Sequence, residues 1–422
     1  MALADAGCAV TLFEAAPQLG GRARRVELAL GDRSFPVDNG QHLLIGAYRD
    51  TLALMRRVGV DPEDAFLRRP FALRYPDGFR LQAARAPAPL HLAVGLISAR
   101  GLRWRERLAM ARAVDRWKRA GWAAPHEAAA AGLMDGVPPI VIDRIWQPLC
   151  VAALNARLEQ ASSAMFLAVL RDSLGADRSA SDMLLPRADL SALLPDAASA
   201  ALQHASARVQ LRSAVDGLAR AGGGWRVTSR QTSADADAVV LALPPWRAAS
   251  LLASTGLAPL DSTVAALGRV ASAPITTVYL RYPGGMRLPG PALALADAPA
   301  RGDFGQWAFD RGALDPRCDG VVSVVVSASG PHEMLDHAAL GNAVASQLRV
   351  ALGLPAPIAN RVIEEKRATI VPVPGLVRPP IVLPSPGLYL AGDAADSPYP
   401  STIEGSVRSG LAAARALLDE RS

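Results

Sequence analysis

Cysteine is scarce: Cys8, Cys150 and Cys318 stand alone, with no C-x-x-C among the 422 residues. That excludes a disulfide framework and a cysteine-built metal site, and it fits a reducing compartment. Long apolar runs are lacking too. No stretch approaches the roughly 18 residues that cross a bilayer, and no leader-like pattern opens the chain. Nor is there a block of Lys and Arg. The 45 basic residues against 39 acidic ones leave a net charge of +6, spread too thinly for a nucleic-acid interface. This mild excess suits an anionic cofactor or a membrane surface. The last absence is local. A dinucleotide-binding βαβ unit carries G-x-G-x-x-G about 20 residues before the acid that holds a ribose. Gly7 is the only glycine among the thirteen residues before Glu14. The spacing predicts that a first strand and the glycine loop belong upstream of Met1, with Met1–Ala6 as the tail of the helix that follows them.

Half of the residues are apolar, enough for a large core and for two domains at this length. The apolar run Cys8–Phe13 ends at Glu14, and a small-residue turn leads to Gly20-Gly21-Arg22. An acid at such a strand end accepts from a ribose hydroxyl. A glycine pair lets backbone approach a phosphate, and Arg22 adds fixed positive charge. A strand merely ending in Glu is the plain alternative. Asn39-Gly40-Gln41-His42 then runs into Leu43-Leu44-Ile45, either as a loop before a helix Tyr48–Val58 or as backbone lying along a flavin ring.

Pro87–Leu170 reads as mostly helical. Within it Leu102–Trp122 is a basic, Trp-bearing helix, fit for a membrane interface or for an ordinary surface whose Arg stems cover apolar area. Ile140–Leu170 reads as a cavity wall or as packed core. Arg208–Ser229 alternates as a hairpin around Gly222-Gly223-Gly224, and Ala238–Leu243 is a buried strand stopped by Pro244-Pro245. Strands are expected at Ala273–Tyr282, Gly320–Ala328 and Val362–Val371, with a helix His337–Leu352. At the end, the strand Gly387–Ala391 runs into Gly392-Asp393, and Thr402 caps a helix Ser406–Leu418. A capped helix N-terminus points N–H groups outward as an anion site. Two half-sites at opposite ends of the chain thus suit one dinucleotide.

Glu14, Gly20-Gly21-Arg22, the hairpin ending at Val215, Val239–Pro245 and Leu390-Ala391-Gly392-Asp393 resemble the FAD-dependent amine oxidase and phytoene desaturase superfamily. Within it the chain is most similar to the hydroxysqualene dehydroxylases, squalene-associated flavoproteins of bacterial hopanoid biosynthesis. The distinguishing pieces are Asn39–His42, Trp146–Leu149 with Ala153-Leu154-Asn155, Trp307–Arg311, Glu365–Thr369, and Pro400–Gly405 with Arg408-Ser409-Gly410. The resemblance implies an α/β fold: a discontinuous Rossmann-like FAD domain, short of its first strand and glycine loop, plus a mixed-sheet and helical substrate domain. The FAD pieces are expected at 1–85, 205–258 and 384–422, the helical substrate part at 86–204 and its sheet at 259–383.

By the same resemblance Glu14 holds the adenosine ribose, Gly20, Gly21 and Arg22 sit by the phosphates, and Val215 touches the adenine. Gly392 and Asp393 meet the ribityl–phosphate region, and Thr402 and Ile403 present N–H groups to the flavin. Gly40, Gln41, His42 and Leu43 line the isoalloxazine. The implied reaction is reductive removal of the hydroxyl of hydroxysqualene to give squalene. Loss of water from an allylic alcohol leaves a delocalised cation that reduced flavin quenches with hydride, and His42 is the candidate general acid. Trp146, Trp307 and Phe309 are candidate cation-stabilising rings or packing. The rivals are a carotenoid-type desaturase and a degenerate flavoprotein that only binds an isoprenoid. The expected partners are an apolar isoprenoid substrate and other squalene-pathway enzymes, with no nucleic acid and no metal. The expected place is the cytoplasm, in peripheral contact with the inner face of the cell membrane.

Overall fold

The computed structural model describes residues 1–420; Arg421 and Ser422, the end of the third expected FAD piece, lie outside it. Two short parallel pairings tie together distant parts of the chain. Thr11–Phe13 pairs with Arg208–Gln210, Thr11 opposite Arg208, and the ladder continues as Glu14 N–H donates to the Gln210 carbonyl at 2.9 Å. Val239–Leu241 pairs with Leu388–Leu390. Around the second pair, Trp225, Leu241, Leu251, Leu252, Leu388 and Leu390 form one apolar cluster, with Phe13 and Val215 packed at its margin. Parallel pairs need crossover connections, which is why segments so far apart in sequence end up adjacent.

The expected single hairpin over Arg208–Ser229 is corrected here. Its first strand leaves to join Thr11–Phe13, and the true hairpin is Val215–Ala221 with Gly224–Ser229. Its turn is Gly222-Gly223, both with positive φ (55° and 84°), the conformation that a two-residue hairpin loop demands.

The second half holds a five-stranded sheet in the order Ala292–Ala294, Trp307–Asp310, Val321–Val326, Ser272–Arg281, Ala359–Ile370. Its period of two decides what each face touches. Ala308, Val322 and Val324 pack with Leu340, Val344 and Leu348 of the helix His337–Leu352. Trp307 and Phe309 instead join the apolar cluster of the helical region, with Trp117, Val141, Ile145, Trp146, Phe166 and Leu170. In that region Ile142–Trp146 widens into one π-helical turn before the helix Gln147–Leu154. Pro148 explains it: the ring lacks an N–H and crowds the carbonyl four residues back. The basic helix spans Trp104–Arg119, and its tryptophans part company. Trp117 is buried edge-on against Trp146, ring centres 4.9 Å apart, whereas Trp104 stays outside.

Candidate functional site

The two half-sites meet. Gly20 has φ +115°, and a Cβ there would stand 2.5 Å from the Ala23 carbonyl oxygen, so only glycine makes this turn. The turn delivers Arg22, whose guanidinium pairs with the Asp393 carboxylate and donates to the Ala368 carbonyl at 2.6 Å. Asp393 is buried. Glu14 closes its own strand end, its Oε1 accepting from Ala16 N–H at 2.7 Å. Ser213 N–H donates to the Glu14 carbonyl at 2.8 Å and Arg212 N–H to that of Ala16 at 3.0 Å. These bonds bring the Val215 strand alongside Glu14.

At the C-terminal half, Gly392 has φ +77° and donates its N–H to Ser409 Oγ at 2.7 Å. Thr402 is the N-cap of the helix Ile403–Asp419, its Oγ1 accepting from Gly405 N–H at 3.0 Å. The N–H groups of Ile403 and Glu404 precede the helical ladder and have no backbone partner among the described residues, which leaves them for an electron-rich ligand. The helix is anchored from its other side. The buried Glu404 carboxylate accepts from Asp50 N–H (3.1 Å), Thr51 N–H (2.9 Å) and Thr51 Oγ1 (2.7 Å).

Asn39–Leu43 lies moored on the five-stranded sheet. Asn39 Nδ2 donates to Glu365 Oε2 at 2.8 Å and Gln41 N–H to Thr277 Oγ1 at 3.2 Å. The Gln41 side chain donates to the His42 carbonyl and accepts from Ser323 Oγ at 2.8 Å, so its amide holds the strip in place and is not free for a ligand. Leu43 packs against the helical apolar cluster. His42 follows in the same strip. Desolvation pushes its pKa down to about 4 against the opposing hydrogen bond to the Gly40 backbone, and the Arg22 charge adds a smaller push downward. The shift favours the neutral imidazole at neutral pH.

Residues 365–370 form a site element whose shape is set by a proline on the neighbouring strand. Pro274 has no N–H to donate, and the ladder breaks opposite it: the register jumps from Ala273–Thr369 to Ile275–Glu365. Lys366, Arg367 and Ala368 bulge out, and Arg22 takes up the carbonyl of Ala368. The Arg367 guanidinium lies 4.5 Å over the Trp246 ring, and Ile370 N–H donates to Ser401 Oγ at 2.9 Å. Asn155 pins the break, donating to the Pro274 carbonyl at 3.0 Å and to Thr369 Oγ1 at 2.9 Å. The signs in the sequence were the run Glu365–Thr369, one of the distinguishing pieces, and a proline inside the expected strand opposite. Arg378 carried no sign at all. It is buried and donates to the carbonyls of Ser397 and Tyr399, bracing the loop after Asp393.

On the substrate side Trp307 and Phe309 stack at 6.3 Å with 26° between their planes. The indole N–H groups of Trp146 and Trp307 are buried without a partner. Among the described residues no His, Cys, Asp or Glu cluster has the makings of a metal site, and no helix is long and apolar enough to cross a membrane.

The chain matches the family described as flavin containing amine oxidoreductase over residues 1–418. It is 31% identical to hydroxysqualene dehydroxylase of Rhodopseudomonas palustris over 440 residues, covering 99% of this chain and 94% of that protein. The enzyme of the same name from Sinorhizobium fredii is 28% identical over 437 residues, again 99% and 94%. Among solved structures, cyclohexylamine oxidase of Brevibacterium oxydans superposes with a TM-score of 0.65 at 20% identity, covering 100% of this chain and 95% of that one. A putative protoporphyrinogen oxidase from Exiguobacterium gives 0.68 at 16% identity, covering 99% and 95%. At those identities the likeness concerns the fold.

Proposed function

The chain belongs to the flavin containing amine oxidoreductase family, and from that premise we propose that it is an FAD-dependent oxidoreductase that removes the hydroxyl of hydroxysqualene to give squalene. The observation that carries the cofactor half of this reading is the Arg22–Asp393 pair, which joins the N-terminal and C-terminal half-sites beside a capped helix N-terminus. The substrate half rests on the two hydroxysqualene dehydroxylases, each similar along nearly the full length. FAD is held by Glu14 at the ribose, Gly20, Gly21 and Arg22 at the phosphates, and Val215 at the adenine. Gly392 and Asp393 hold the ribityl chain, Thr402 and Ile403 the ring carbonyl, and Gly40–Leu43 flank the ring. The FAD-binding pieces are 1–85, 205–258 and 384–422; 86–204 and 259–383 build the substrate side.

When bound in its reduced form, the flavin supplies the hydride that replaces hydroxide on the allylic carbon, and one proton leaves with that hydroxide as water. The protein's part is to exclude bulk water and stabilise positive charge. The Trp307–Phe309 stack and Trp146 lie inside one apolar cluster, and aromatic rings of this kind would stabilise a delocalised cation that reached them. His42 lies in the strip beside the ring, and its lowered pKa leaves little of it protonated at neutral pH. The substrate is an apolar isoprenoid, and peripheral contact with a bilayer is its route in. The test is single turnover with dithionite-reduced, FAD-loaded protein. Squalene is expected from hydroxysqualene, one per flavin oxidised. Oxidation of a polyene with no reaction of hydroxysqualene would replace this reading by a desaturase.

A further inference from the structure

We propose that the helix Leu90–Ile97 and the first turns of the helix Trp104–Arg119 form one docking face for an anionic lipid bilayer. The helix Leu90–Ile97, LHLAVGLI, carries no acidic or basic residue apart from one buried histidine. Its inner side is fixed: Gly95 lies so close to the Arg80–Gln82 strand that a Cβ there would be 2.4 Å from the Gln82 carbonyl oxygen. The opposite side therefore stays outward, and it is apolar. Leu90, Val94 and Ile97 follow one face at helical spacing, with Leu90 57% and Ile97 58% exposed. A surface helix with an apolar outer face lacks the polar stripe that water would favour.

The second helix extends this face. Trp104 is 64% exposed, and Leu108 is exposed one turn later. Arg107 fastens the two helices together, donating to the carbonyls of Ile97 and Ala99, the latter at 2.6 Å. Around the apolar residues stand Arg100, Arg103, Arg105 and Arg112, all exposed and none in an ion pair among the described residues. The nearby acids are already engaged: Glu106 accepts from Arg103 N–H at 2.6 Å, and Asp115 pairs with Arg119 at 2.7 Å.

Unneutralised arginines rimming an aliphatic face, with an indole at the edge, fit phosphate headgroups above acyl chains. A protein partner's interface core is instead depleted of charge and rich in aromatic residues. The connection between the two helices contributes Ala99 and Leu102, and the inner side of the second helix Ala113 and Trp117, to the cluster that holds Trp146, Trp307 and Phe309. Docking here turns the substrate side toward the membrane. This assignment rests on the isoprenoid reading for its purpose, but its test needs no turnover.

The test is flotation of the FAD-loaded protein with vesicles of phosphatidylcholine containing about one third phosphatidylglycerol, and with vesicles of phosphatidylcholine alone. The unchanged protein is expected to float with the anionic vesicles and to be released by salt. Leu90→Asp with Ile97→Asp should cut binding at least about tenfold, and Arg103→Glu with Arg105→Glu and Arg112→Glu should abolish the preference for anionic lipid. Both substituted surfaces are exposed, so bound FAD and melting temperature should hold, and Trp104→Ser serves as a third, milder variant. An unchanged protein that stays with the soluble fraction overturns the proposal, as does flotation of the Asp variant equal to that of the unchanged protein. A dimer that Leu90→Asp with Ile97→Asp splits, without flotation, assigns the face to a second copy instead. If the hydroxysqualene reading fails, turnover on detergent-dispersed substrate is absent from every variant while the flotation pattern stands.

Discussion

Arg22 and Asp393 sit at opposite ends of the chain, yet each is the other's nearest opposite charge. A hydrogen bond to a charged group contributes about 1.5–3 kcal/mol, so losing one at the cofactor should cost roughly ten- to a hundredfold in affinity. Arg22→Ala and Asp393→Asn are each expected to weaken FAD binding by that much, measured by flavin fluorescence titration. Their double variant should cost less than the sum of the two, because the residues share one network. His42 makes a different forecast. Its imidazole titrates near 4 in the folded chain against 6.5 ordinarily. Between those values the unfolded chain takes up a proton that the folded one refuses, so the contribution to stability is full above 6.5 and drains away as pH falls toward 4. Denaturant titrations of His42→Gln should show a shallower loss over that window. For turnover, a true general acid contributes about 10²–10⁴-fold. His42→Gln is expected to lose less than the lower figure, and a loss at the upper end would restore the ring as proton donor.

At the level of elements, the capped C-terminal helix and the interrupted strand Ala359–Ile370 hold the site together. Thr402→Ala removes the acceptor for Gly405 N–H, and caps of this kind contribute about 1 kcal/mol. The melting temperature should fall accordingly, and FAD affinity with it, because the same turn aims the N–H groups of Ile403 and Glu404. Gly392→Ala and Gly40→Ala make a useful contrast. Gly392 has φ +77° with open space around it, whereas Gly40 has ordinary φ and its nearest contact, Thr277 Oγ1, lies 3.6 Å from a built Cβ. The first substitution should destabilise the cofactor-free protein by about 1 kcal/mol through backbone strain alone. The second should stay within about 0.5 kcal/mol. Calorimetry on both variants separates strain from crowding.

For the whole molecule, the segments 1–85, 205–258 and 384–420 are joined by two short parallel ladders, by the Arg22–Asp393 pair and by the bonds from Asp50 and Thr51 to Glu404. A ligand that touches all three pieces only in the folded state stabilises by mass action, about 2.7 kcal/mol at a hundred times its dissociation constant. FAD at that excess is expected to raise the melting temperature by several degrees and to slow proteolysis in the loop after Asp393. The helical core around Trp146 should respond less. A melting temperature indifferent to FAD would mean that the pieces do not share the cofactor.

Glu14, the Gly20-Gly21-Arg22 turn, the Gly392-Asp393 turn and the Thr402 cap were legible in the chain itself. Each is a local device: glycine for a positive φ, a hydroxyl for open N–H groups, an acid at a strand end. The helix His337–Leu352 could be read to the residue for the same reason, since Asp336 caps it and Gly353 ends it in the left-handed conformation. What the sequence alone left undecided depends on partners far along the chain. The departure of Arg208–Gln210 from its expected hairpin follows from a parallel neighbour some 200 residues away. The burial of Trp117 and exposure of Trp104 follow from which side of one helix meets Trp146. The neutrality of His42 is a matter of how much protein surrounds it. Spacing encodes backbone conformation, because that is settled by atoms close along the chain; desolvation and packing are settled by atoms that only folding brings near.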